Sequence, residues 1–128
     1  MTVRTIRFEE LDTYCALGGT GWLADVVRRI WAEGHSSPEH CFVVEHEGRP
    51  VGRAFFHSQA GPGDMAMFGT HLDPRVDFLQ TGRLLLGTAL DRLKETGVAG
   101  VEHAIYDIYD PDPERQQHLI ESVGFRQY

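Results

Sequence analysis

The feature that most constrains this chain is one helical segment held between two strand-like runs. The stretch DPRVDFLQTGRLLLGTALDRLKETGV, residues 73–98, follows MAMFGTHL and precedes GVEHAIYDIYD. Its helix places Leu85, Leu86, Ala89, Leu90 and Leu93 on one face, and Gly97 stands where a left-handed end residue is wanted. A strand, a helix and a second strand in this order make a parallel pair with a right-handed crossover. A ligand of such a unit is expected outside the carboxyl ends of its strands, where the helix begins. The loop from Pro74 to Gly82 is therefore either a phosphate cradle or simply the start of a helix.

The rest of the chain arranges itself around that unit. TVRTIRF alternates with period two and reads as a first strand. ELDTYCALG reads as a short helix closed by Gly18. GWLADVVRRIWAEG puts Trp22, Leu23, Val26, Val27, Ile30 and Trp31 on one stripe and ends at Gly34. CFVVEHEGRPVGRAFFHSQ gives two apolar-rich strands joined by a hairpin at EGRP. The segment DPDPERQQHLIESVGF is a last helix, capped by Asp112, opened by Pro113 and stopped by Gly124. The order is strand, two helices, three antiparallel strands, helix, strand, helix and a partial strand.

At 128 residues the chain fits a single domain, residues 1–128, able to bury a core without metals or disulfides. A formal net charge of −7 argues against nucleic acid as a partner, because nucleic-acid binders need basic patches. No apolar run approaches a membrane span, and the N-terminus lacks the apolar core of a signal peptide, so a cytoplasmic protein with no membrane partner is expected. Cys15 and Cys41 read as two free thiols. Seven histidines are scattered without a ligand motif, so no metal is expected. The acidic run DIYDPDPE lacks the spacing of a calcium loop and reads as a solvated turn.

This order of elements, with VVEHEGRPVGRAFF, HLDPRVDFLQTGRLL and ERQQHLIESVGFRQY in it, resembles the GNAT superfamily of N-acetyltransferases across nearly the whole chain. The resemblance implies an α/β (α+β) fold: a mixed sheet of about six strands with a central parallel pair and flanking helices. The family's last strand looks to be missing after the Gly124–Phe125 pair. That strand would be absent, supplied by a partner in a homodimer, or carried on a longer protein. Acetyl-CoA is the implied co-substrate, and the partner an amine-bearing small molecule or protein.

The family's pyrophosphate loop, laid from Pro74, brings its last Gly onto Gly82. Asp77 replaces an Arg or Gln, and Phe78 and Gln80 replace the first two glycines. Thr81, Gly82 and Arg83 are the implied cofactor-binding residues at the helix start, with Leu72 and Asp73 along the preceding strand. The family's leaving-group acid is a Tyr at a position held here by Ile120, so Tyr106 is the stand-in, with Tyr109 beside it. The usual strand Glu is absent. His71 is the candidate base, with Asp64 and His103 weaker choices. Two functions stay open: an acyl-CoA-dependent N-acetyltransferase, or a GNAT-fold domain that binds or assembles without catalysis, such as the first copy of a tandem protein. A third is an unrelated α/β binding module.

Overall fold

The computed structural model describes residues 1–58, 64–103 and 112–125. Strand β1 (Thr2–Thr5) leads through a 3-10 turn to α1 (Leu11–Ala16) and, after a second such turn at Leu17–Gly19, to α2 (Leu23–Ala32). Strands β2 (Cys41–His46), β3 (Arg49–Ser58) and β4 (Asp64–Leu72) follow. Then come α3 (Phe78–Glu95), β5 (Gly100–His103) and α4 (Pro113–Ser122). One sheet runs β1-β2-β3-β4-β5. The first three pairings are antiparallel, and β4 and β5 are parallel, joined by α3.

Among the described residues the sheet has five strands, against the six or so expected, and the parallel pair β4–β5 lies at one end of them, in keeping with the expected mixed α/β fold. The reason is topological. The described antiparallel strands form a meander, and the crossover through α3 leads outward from the last of them.

The β2–β3 hairpin turns on Glu47 and Gly48, with φ of 53° and 76°. Two successive left-handed residues give the strand-matched two-residue turn. Alternation on β2 then feeds two cores. Phe42 and Val44 join Phe56, Leu85, Leu86, Ala89, Leu93 and Leu119 beneath α3 and α4. Cys41 and Val43 join Leu11, Tyr14, Cys15, Leu23, Val27 and Phe55 beneath α1 and α2. The sheet is thus covered on both faces, which is why its strands read as continuous apolar runs. Each fully buried Leu or Phe contributes about 1.5–3 kcal/mol.

The stripe expected on α2 is rotated. Leu23, Ala24 and Val27 point inward, whereas Trp22 is 57% and Val26 41% exposed. The helix begins at Leu23, with Trp22 as its cap residue. Packing is centred on the Leu23–Val27 edge, and this turns Val26 out. Both thiols are free and buried. No helix of the described residues is long and apolar enough to cross a membrane.

Candidate functional site

The start of α3 is built by two aspartates. Asp73 opens a tight turn: its carboxylate accepts from Arg75 N at 2.9 Å, and its carbonyl accepts from Val76 N at 3.1 Å. The Arg75 guanidinium also donates to Asp73, at 3.0 and 2.7 Å, and holds that carboxyl well below its usual range. Asp77 is the N-cap of α3, and its carboxylate accepts from Gln80 N at 2.7 Å. Its carbonyl takes Thr81 N at 3.0 Å. Asp77 therefore occupies the helix end where a phosphate would lie, and satisfies one of the N–H groups such an anion would use.

The three expected cradle residues are split by this start. Thr81 is buried, with its N–H spent inside the helix. Gly82 faces α4: a Cβ there would stand 2.6 and 2.8 Å from the two methyls of Leu119. That contact gives Gly82 a packing reason to be a glycine. Only Arg83 is exposed. The first N–H groups of the helix, on Phe78 and Leu79, lie ahead of all three. Above the Phe78 ring sits the guanidinium of Arg115, 4.3 Å from its centroid, which brings a cation from α4 to this end of α3.

Strand β4 carries the other half of the site. Ala54 faces Thr70 while Phe56 faces Met67, so β4 holds an extra residue opposite β3 and bulges there. Beyond the bulge, Asp73 N donates to Val51 O at 2.7 Å. By antiparallel alternation the N–H and C=O of Leu72 then turn away from β3, toward the β5 side. The Thr70 carbonyl points the same way and accepts from Gln116 Nε2 of α4 at 3.2 Å. Gln116 is only 6% exposed, and its Oε1 is buried with no partner. The Leu72 side chain is buried against Gly52.

His71 points to the opposite face, under the turn between α1 and α2. A Cβ at Gly18 would meet its ring at 2.7 Å, and Gly18 has φ of 77°, so the turn sits directly on the imidazole. Across the strand pair, His71 faces Arg53. Arg53 Nη2 donates to Thr20 Oγ1 at 2.6 Å, and its Cζ lies 5.9 Å from the Tyr14 ring centroid. The Tyr14 hydroxyl donates to Ala54 O at 2.8 Å. Burial pushes the Tyr14 hydroxyl well above its ordinary value, the Cys15 thiol up, and the Cys41 thiol up to about 12. Neither cysteine is a nucleophile at neutral pH.

The structure thus brings His71 and the Leu72 and Asp73 backbone together at the end of β4, and separates Thr81 and Gly82 from them. Tyr106 and Tyr109 lie outside the described residues. Among the described residues no group of three His, Cys, Asp or Glu side chains is placed to hold a metal. Sequence reasoning missed Gln116, Arg53 and Arg115. Gln116 carried a signal, being a polar residue on the Leu119–Ile120 stripe of α4. Arg53 carried one too, as the single charge inside the run PVGRAFF.

No family model matches the chain, and no curated protein matches it in sequence. Solved structures do match in fold. The ribosomal-protein-S18-alanine N-acetyltransferase from Escherichia coli superposes with a TM-score of 0.72 at 19% identity, covering 99% of this chain and 78% of that one. An aminoglycoside N-acetyltransferase solved with CoA gives 0.73 at 14%, covering 98% and 88%. A transcriptional regulator from Bacillus halodurans gives 0.65 at 17%, covering 98% and 92%. At these identities the likeness is one of architecture, and it agrees with the bulged β4 and its crossover to β5: the chain has the fold of the GNAT N-acetyltransferases.

Proposed function

We propose that this domain is an acyl-CoA-dependent N-acetyltransferase that moves an acetyl group from acetyl-CoA to an amine. The observation that carries the reading is the bulged end of β4. There the Leu72 backbone faces away from β3, and His71 faces the α1–α2 side. A co-substrate chain lying along that edge meets the Leu72 N–H and C=O, which turn away from β3. It also finds the buried, unpartnered Gln116 Oε1, which lacks a donor that an amide N–H would supply. Acetyl-CoA supplies the activated acyl group. His71 stands on the acceptor face to take the proton that the amine loses on acylation. Tyr106 is the proposed donor of a proton to the departing thiolate. The phosphate end is held by the Phe78 and Leu79 N–H groups with Arg83 and Arg115 as cations, in place of a glycine cradle.

A second reading has its own support. The Asp77 carboxylate already fills part of the helix end, which favours a domain that keeps the fold as a binding module and no longer catalyses. Titration of acetyl-CoA by calorimetry into the wild type and an Asp77→Arg variant separates the two. Binding by the wild type, tightened about tenfold or more when a repelling charge becomes an attracting one, is expected. No binding by either protein would overturn the acetyltransferase reading in favour of the module.

A further inference from the structure

Arg53 is buried in the face of the sheet that carries His71, and among the described residues it has no counter-ion. It is 6% exposed. A guanidinium has five N–H donors. Here Nη2 donates to Thr20 Oγ1, and Nε is buried with no partner. Among the described residues no carboxylate pairs with it. The neighbours that could carry negative charge do not. Tyr14, Cys15 and Cys41 are all held neutral by burial, and the Tyr14 hydroxyl is already donating to Ala54 O. Thr20 Oγ1 donates to Cys15 O or Leu17 O, so toward Arg53 it can only accept, as a neutral group. A buried charge in this state is costly unless an anion completes it.

The surroundings are those of a site. Arg53 and His71 are direct cross-strand partners. Such pairs stand about 5.5 Å apart at Cα when hydrogen-bonded. The exposed Gly18 lies on the His71 ring, and Thr20, at the end of the same turn, is tied to Arg53. One small molecule spanning the two side chains would therefore present a group to Arg53 and another to His71.

We propose that Arg53 anchors the carboxylate of the acceptor, so that the site takes an amine carrying a carboxylate a few bonds away: an α-amino acid or the end of a short peptide. This inference rests on His71 facing the acceptor, as in the proposed function. A net charge of −7 repels free anions in general. A zwitterion is neutral overall and escapes that repulsion, while still offering one carboxylate to a bidentate guanidinium.

The test uses nuclear magnetic resonance on the 15N-labelled chain, without acetyl-CoA. L-alanine, L-phenylalanine and glycylglycine are titrated, each beside its C-terminal amide. The Arg53 Nε–H and the Thr20 and His71 amides are followed. At least one acid should shift all three signals and bind at least tenfold tighter than its amide. Arg53→Lys should weaken that acid about tenfold, and Arg53→Met should abolish the preference. Equal binding of acid and amide, no shift at any of the three groups, or a preference surviving in Arg53→Met overturns the proposal. If Arg53→Met does not fold, the acid–amide comparison on the wild type and on Arg53→Lys decides. Acetyl-CoA binding is measured separately: its absence sinks acetyl transfer and leaves a carboxylate preference standing. Its presence without the preference sinks only the anchor.

Discussion

Gly82 is the residue on which the two views of the α3 start differ most sharply, and Gly82→Ala separates them. A phosphate-cradle glycine keeps backbone open for a ligand. In the unliganded protein, replacing it inside a helix should then raise stability by about 1 kcal/mol, the difference in helix propensity. The structure leads to the opposite sign. The new methyl falls 2.6 and 2.8 Å from the Leu119 methyls and 3.2 Å from its Cγ, and Leu119 is fully buried. Its side chain can yield only by entering filled core, at a cost of about 1–3 kcal/mol. Taking the middle of that range and subtracting the propensity gain leaves a loss of about 1 kcal/mol, roughly 4 °C in Tm for a domain of this size. Urea unfolding followed by circular dichroism measures it. Leu119→Ala alone should cost about 2–5 kcal/mol. In that background Gly82→Ala should turn stabilising, a coupling of about 2 kcal/mol. If Gly82→Ala stabilises the wild type, or if the two changes simply add, the packing argument is wrong.

Two further perturbations follow from contacts already described. Gly18→Ala and Gly19→Ala should both lose about 1 kcal/mol to left-handed φ, but only Gly18→Ala should lose more, because a Cβ at Gly19 meets nothing. Removing the ring with His71→Ala should bring the two to parity, and persistence of the gap would refute the contact. Acid should weaken the link between β1 and the first turn. The Arg4 guanidinium, at 2.8 and 2.9 Å, lowers the Glu10 carboxyl from 4.5 to about 2. Its contribution is complete above pH 4.5 and is lost as pH falls toward 2. With both side chains partly in solvent, that contribution is about 1 kcal/mol. The stability difference between wild type and Glu10→Gln should therefore shrink between pH 6 and pH 2.5 in urea titrations, and a constant difference would refute it.

Local chemistry made much of this fold legible. Gly34, Gly97 and Gly124 end helices in the left-handed region, as their places after apolar stripes implied. Glu47–Gly48 is a turn because nothing else joins two strands so closely. What could not be read was which distant residue each special position meets. Gly82 looks the same in sequence whether its neighbour is a phosphate or Leu119. Asp77 looks like a damaged phosphate residue or a good helix cap, and the two differ only in where its carboxylate points. The orientation of α2 failed for a related reason. Leu23 and Val26 have equal claims on an apolar face, and the sheet beneath chose the edge.

The Asp77 cap also changes how this helix end can be used. Its carboxylate is tethered three residues from the N–H it binds, so it competes with any outside anion as an intramolecular rival, at an effective concentration that free solutes do not match. Inorganic phosphate and small phosphoesters, attached by nothing else, lose that contest. A ligand that prevails here must be fastened elsewhere first and arrive as a second, equally tethered anion. Under the proposed function the cap would then work as a filter for length, admitting phosphate only as the far end of a molecule already seated along β4.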